Sequence, residues 1–160
     1  MTGQNYQLPI HTILMQRKLD DTSIILPVCP DDIHLSPFSI TIAPEVHALL
    51  ELGFKGSETS ISVFSEWWTA LISDSEFDPS LCFVLKDKDG IIGYSQCWTS
   101  SFIKDLVVHP RRRKQGLGNL LLQQIFHEFK ERGFKTVELK VLSNNISAIK
   151  LYSSSGMQII

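Results

Sequence analysis

One stretch, DLVVHPRRRKQGLGNLLL at residues 105–122, constrains this chain more than any other. Its apolar start, ended by His109-Pro110, reads as a strand, because proline takes a donor out of the ladder. From Asn119 onward, Leu122, Ile125, Phe126 and Phe129 return on one face, which predicts a helix closed by Gly133. Four cations and two glycines lie between strand and helix. A loop feeding a helix leaves backbone N–H groups unpaired, and the helix dipole adds positive potential, so an anion is the natural occupant. Glycine at 116 and 118 lets a pyrophosphate approach those N–H groups, and the cations add charge at the rim. The expected ligand is a polyphosphate held mostly by backbone.

Around this unit the chain reads as one α/β domain, and 160 residues suffice for a real core. Residues 81–85 and 91–98, joined by the turn 86–90, predict a hairpin, with a third strand over residues 102–108. Residues 136–142 alternate as a strand, and Asn145 opens a last helix that Gly156 stops before a short terminal strand. Upstream, Pro44 starts a helix running to about Leu52, and Ser57-Glu58 or Ser60 opens a second that ends near Asp74. Residues 38–42 are expected as a short strand after a Pro- and Asp-rich linker. Residues 11–28 are expected as two strands around the turn Leu19-Asp20-Asp21.

Several function classes drop out. No apolar run approaches the roughly 20 residues of a membrane-spanning helix, and the start lacks a secretory pattern, so a cytoplasmic protein is expected. Cys29, Cys82 and Cys97 are odd in number and widely spaced, which reads as buried thiols; no metal site is expected. The net charge of −2 hides an asymmetry: five Lys or Arg and one Asp between 104 and 114, nine acids and three bases between 45 and 89. Two surfaces of opposite sign suggest two ligands. No glycine carries the GxxxxGK[ST] spacing of a nucleotide-hydrolysing loop. A dinucleotide fingerprint on Gly116 and Gly118 meets Leu121 at its third glycine. The basic run alone reads as a solvated face or a nucleic-acid patch, but Phe102 is the only aromatic nearby, and RNA-binding sheets expose several.

Residues 113–118, RKQGLG, resemble the (Q/R)xxGx(G/A) acyl-CoA loop of the Gcn5-related N-acetyltransferases. A second segment, Asn145, Ala148, Leu151, Tyr152 and Gly156, is similar to that family's NxxAxxLYxxxGF element. The resemblance covers roughly residues 80–160. It implies a mixed, mostly antiparallel sheet with flanking helices and a splayed strand pair, acetyl-CoA as acyl donor, and no metal. It places the pyrophosphate on the backbone of Arg113, Lys114, Gln115, Gly116, Leu117 and Gly118, with Arg111, Arg112 and Lys114 as cations for the adenosine 3′-phosphate. The backbone of Leu106, Val107 and Val108 would pair with the pantetheine arm, beside Asn145 and Ala148. Tyr152 would be the general acid for the departing thiolate, and the N–H of Val107 or Leu106 the oxyanion donor. For the general base the resemblance leaves Asp105 and Glu66; Phe102 stands near where some members carry a glutamate.

The implied function is an N-acetyltransferase acting on a primary amine by direct attack in a ternary complex. The acidic balance of residues 45–89 points to a cationic small-molecule acceptor. The alternative is a non-catalytic CoA-sensing or polyanion-binding module. Each residue also has a plainer reading: Tyr152 and one of Trp67 and Trp68 as core, Asp105 as a salt-bridged strand residue. Residues 1–36 are expected as an extension and 37–160 as the acyl-CoA-dependent domain. Only four residues follow Gly156, where family members continue through two more strands, and Gly-Met replaces Gly-Phe. The N-terminal hairpin is therefore expected to pair with the sheet at that place, in the same chain or in a homodimer mate.

Overall fold

The computed structural model describes residues 8–160, so the first seven residues of the expected extension lie outside it. Among the described residues seven strands form one sheet in the order β2-β3-β4-β5-β6-β1-β7. The strands are β1 Thr12–Lys18, β2 His34–Ser36, β3 Cys82–Asp87, β4 Gly90–Trp98, β5 Phe102–Val108, β6 Thr136–Leu142 and β7 Gln158–Ile159. The helices are α1 Ala43–Phe54, α2 Phe64–Ser73, α3 Leu117–Glu131 and α4 Ile146–Ser154. Only β5 and β6 pair in parallel; the other ladders are antiparallel. No helix among the described residues is long and apolar enough to cross a membrane.

Each face of the sheet carries its own core. Leu121, Leu122, Ile125, Phe126 and Phe129 of α3 pack on Met15, Ile92, Val137 and Leu139. Val46, Leu49 and Leu50 of α1, with Leu71 of α2, pack on Val84, Tyr94 and Val107. Strand alternation delivers residues to both cores, and two bulges adjust it. β4 has one extra residue, Ile92, against β3, and β5 has one, Lys104, against β4. The second bulge changes which face β5 presents: Ile103 packs with α3, whereas Val107 packs under α1.

The expected order of elements from residue 80 onward is present. Upstream it differs in three places. Of the hairpin over residues 11–28 only the first arm forms, as β1; residues 23–28 make no strand. The reason is that β1 has no free edge, since β6 and β7 occupy both. Ile24 instead buries its side chain in the α3-side core. Second, the short strand lies at His34–Ser36, before Pro37, and not at residues 38–42; Phe38 is buried in the α1-side core and the chain turns there into α1. Third, α2 opens only at Phe64, because Ser57 turns its hydroxyl back to the Phe54 carbonyl at 2.7 Å and so finishes α1.

β1 runs antiparallel to β6 from Thr12 opposite Leu142 to Lys18 opposite Thr136, and Met15 and Gln16 also pair with β7. Met15 is fully buried, and the Leu19 amide extends the contact by donating to the Lys135 carbonyl at 2.8 Å. The strand is thus an interior strand of the sheet. Met15→Ala should lower stability by about 2–5 kcal/mol, the range for emptying a buried long side chain. Urea denaturation measures this, and a loss below about 1 kcal/mol would show that β1 is not integral to the core.

Candidate functional site

The site begins where the sheet opens. β5 pairs with β6 only through Phe102 with Glu138 and Ile103 with Leu139; beyond Ile103 the two strands part, while β6 continues beside β1 to Leu142. On its other side β5 stays on β4 up to Val108 opposite Gly93, and the His109 N–H donates to the Ile92 carbonyl at 2.8 Å. In an antiparallel ladder the bonded pairs alternate, so Val107 is bonded to Tyr94, and the N–H and C=O groups of Leu106 and Val108 face the opening. An extended guest can add itself to these groups as a further strand. Of the three residues expected to offer backbone here, Val107 does not, because its polar groups are spent on β4.

The loop after β5 is held from within. Pro110–Arg112 forms a 3₁₀ turn capped by the ring of His109, whose Nδ1 accepts from the Arg111 N–H at 3.1 Å. Burial, and then the Arg111 charge, pushes the His109 pKa down, which suits this neutral capping role better than that of a base. Asp87, buried at the end of β3, accepts from Arg111 Nη1 at 2.7 Å, Arg111 Nη2 at 2.9 Å and Arg112 Nη1 at 3.0 Å. Arg112 Nη2 also reaches Asp32 at 3.2 Å. The hydrogen bond from Arg111 is the main reason the Asp87 carboxyl is held well below the usual carboxylate range. Arg111 and Arg112 are therefore paired with carboxylates of the molecule itself. Arg113 and Lys114 are exposed and enter no ion pair among the described residues.

The two glycines have different tasks. Gly116 precedes α3 with a φ of +79°, a left-handed conformation that favours glycine, and a Cβ there would meet nothing. Gly118 has ordinary dihedrals, but a Cβ on it would lie 2.8 Å from Leu151 Cδ2, so this glycine permits α4 to lie close against α3. The expected reason for glycine at 118, ligand approach alone, is thus joined by helix packing. Leu117 turns its side chain into the core, leaving only its backbone at the loop. Lys114 also takes a left-handed φ, +59°, which costs a non-glycine residue energy and is the kind of strain found at ligand sites.

On the far side of the opening lies α4. Asn145 caps it, its Oδ1 accepting from the Ala148 N–H at 3.3 Å. Ala148, Leu151 and Tyr152 are half-buried at the edge of the α3-side core, as are Leu106 and Val108 of β5. Burial pushes the Tyr152 phenol up to about 12, and the Asp105 carboxylate adds to the shift, so the two groups lie within reach of each other's field. Asp105 pairs with Lys104 at 2.9 Å and is mostly buried; Glu66 is exposed on the first turn of α2. The α1-side core carries an aromatic cluster of Phe38, Phe64, Trp67, Trp68 and Phe77. Both tryptophans are only half-buried, so neither is wholly core.

The model of the acetyltransferase (GNAT) family matches residues 44–157. The chain belongs to that family. In sequence it is 40% identical over 52 residues to the [ribosomal protein bS18]-alanine N-acetyltransferase of Escherichia coli K12, a match covering 32% of this chain and 35% of that protein. In structure it resembles a GCN5-related N-acetyltransferase from Sphaerobacter thermophilus, with a TM-score of 0.78 at 24% identity over 93% of this chain. It also resembles AAC(6′)-Iy in complex with the bisubstrate analogue CoA-S-monomethyl-acetylneamine, with a TM-score of 0.63 at 12% identity over 78% of this chain and 89% of that one. The chain spans about half the length of the Sphaerobacter protein, 48%, and about a third of the Escherichia coli relative.

Asp87 and Asp32, which hold this loop, are the residues of the candidate site that the sequence did not reveal. They stand 24 and 80 positions from their arginine partners, and no local pattern marks the pairing. Because the Asp87 pKa is depressed, its contribution to stability is fully present above the unfolded carboxyl value near 4 and fades as pH falls below it. Asp87→Asn should therefore unfold at lower urea than the unaltered protein, with a gap constant from pH 7 to 5 that closes as pH drops below about 4. A gap independent of pH down to 3 would remove the ion pairs from the account.

Proposed function

We propose that this chain transfers an acetyl group from acetyl-CoA to the primary amine of a cationic acceptor, by direct attack while both are bound. One observation carries the reading: past the point where β5 leaves β6, Leu106 and Val108 keep backbone groups free of β4, and they border the same core as the half-buried Tyr152, whose phenol is pushed up to about 12. In this reading the N–H groups of residues 113–118 hold the pyrophosphate, and Arg113 and Lys114 meet the 3′-phosphate, the part first expected of Arg111, Arg112 and Lys114. The pantetheine arm pairs with Leu106 and Val108, passing Asn145 and Ala148. The acceptor nitrogen attacks the thioester carbon, and the Leu106 N–H, free of β4, is the donor for the oxyanion. Collapse breaks the carbon–sulfur bond, and the Tyr152 hydroxyl gives its proton to the departing sulfur. Asp105, whose charge reaches the Tyr152 phenol, takes the proton of the attacking amine directly or through water.

The acceptor class rests on charge. Glu51, Glu58 and Glu66 are exposed on and between α1 and α2, and Asp74 is exposed at the end of α2, on the helices that carry part of the aromatic cluster. Such a surface attracts a cation and provides rings for its apolar part. The Escherichia coli relative is named for an alanine of a ribosomal protein and AAC(6′)-Iy was solved with an acetylneamine conjugate, so amines of both kinds belong in the first acceptor screen. Acidic acceptors used faster than basic ones at low salt would overturn this choice.

Tyr152→Phe should lower kcat about 10²-fold and leave the dissociation constant for CoA unchanged. Stopped assays and calorimetry on the same preparation separate the two numbers; an unaltered kcat removes Tyr152 from the chemistry. With a phenol pKa pushed up to about 12, kcat should show no alkaline decline from Tyr152 below about pH 10. Tight CoA binding with no turnover of any amine would favour a sensing module.

A further inference from the structure

The segment between β1 and β2 is not used by the mechanism above, yet it borders the glycine loop. Ile24 and Ile33 anchor its two ends in the α3-side core, Cys29 packs against the same core, and Asp32 is paired with Arg112. Between the anchors, Pro27 and Pro30 restrict the backbone, so residues 25–32 form a tethered arm. The arm nevertheless leaves apolar side chains in solvent: Ile25 is 68% exposed, Leu26 54% and Val28 92%. A tethered arm with an exposed apolar surface is shaped to cover something.

What it faces is defined. A cavity of about 290 Å³ lies between Pro27, Val28 and Pro30 on one wall and Gln115, Gly116 and Leu120 on the other. The second wall is the start of α3 and the loop assigned to the pyrophosphate. The volume lies just under the range of whole ligand pockets, roughly 300–1,000 Å³, so it suits one ring system and not a whole cofactor. Proline rings and a valine offer a flat apolar wall, and the amide of Gln115 can both donate and accept at the rim. Among the described residues no charged one lines the cavity.

We propose that the arm of residues 25–32 is the purine wall of the acyl-carrier site, covering the adenine of CoA against the first turn of α3. This rests on the acetyl-CoA reading given above. The arm supplies apolar contact to the base, while phosphates and thioester are held elsewhere. It therefore acts on carriers that contain a purine and is indifferent to those that lack one.

The test uses Val28→Glu, a change at a side chain exposed enough not to disturb folding. Binding of CoA is measured by calorimetry, and turnover is compared for acetyl-CoA and for acetyl-4′-phosphopantetheine, which keeps a phosphate and the thioester but has no purine. The expected result is CoA binding weakened about tenfold, with acetyl-4′-phosphopantetheine turned over at the unaltered rate. CoA binding equal to that of the unaltered protein overturns the arm's role. So does an equal loss with both thioesters, which would place the new charge's effect on the phosphates or the fold. Failure of the unaltered protein to bind CoA at all overturns the acetyl-CoA reading and the arm with it.

Discussion

The parting of β5 from β6 after Ile103 is the feature on which the rest of this structure depends. A strand inside a sheet normally has both rows of backbone groups paired, and leaving one row open is costly unless water or a guest takes its place. Here the cost is confined to Leu106 and Val108, because β4 holds β5 firmly along its other side. The Ser95 hydroxyl adds to that hold by donating to the Asp105 carbonyl at 2.8 Å. From above, α1 lies so close on β5 that a Cβ on Gly53 would stand 2.0 Å from Val107 Cγ2. Lys104, the extra residue of the bulge, falls where the divergence starts, and a bulge is a device that bends one strand while its neighbour runs straight. The opening is thus a built geometry, clamped on three sides and free on the fourth.

A sheet opened in its middle needs its far half held by something else, and that is the position of β1. β6 keeps only two parallel pairs with β5, but seven antiparallel pairs with β1. Arg17 carries the connection further: its guanidinium lies 5.6 Å from the centre of the Phe126 ring on α3. The same side chain fills the space beside Gly156, where a Cβ would stand 2.8 Å from Arg17 Nε. Gly156 also has a φ of +91° and ends α4, so both its backbone and its missing side chain are required. The strand nearest the start of the chain therefore braces the helix that carries Tyr152. This makes the N-terminal segment part of the site's scaffold, although none of its residues belongs to the family's motifs.

How far the sequence could be read follows from the range of the interactions involved. The elements from β3 to α4 were legible because each is marked locally, by alternation, by a turn such as Lys88-Asp89, or by a helix stop such as Gly133. The left-handed backbone of Gly116 was not read from the sequence, where that glycine stood only as room for a ligand. Residues 23–28 misled because they carry an apolar strand pattern, while strand formation also requires a free edge, and β1 has none. The tasks of Gly118 and Gly53 were hidden because each answers to a side chain more than 30 positions away. Val107 and Leu106 were indistinguishable in sequence, since which of two neighbours faces an opening depends on ladder phase, and that was fixed only by the pairing of His109 with Ile92.

Read as a string, four consecutive cations suggest a surface of high positive potential able to hold any polyanion. In the fold, Arg111 and Arg112 are set against Asp87 and Asp32, two charges of each sign, and the pair of pairs adds little to the far field. Only Arg113 and Lys114 remain to act outward, next to a helix start whose N–H groups bind through geometry at short range. A long polyanion gains affinity from many spaced charges and would find only these two here. A compact polyphosphate, which needs a few charges and several N–H groups converging on one spot, matches what is left. The internal half of the run serves the external half, since the arginines bound to Asp87 fix the path of the loop on which Arg113 and Lys114 stand.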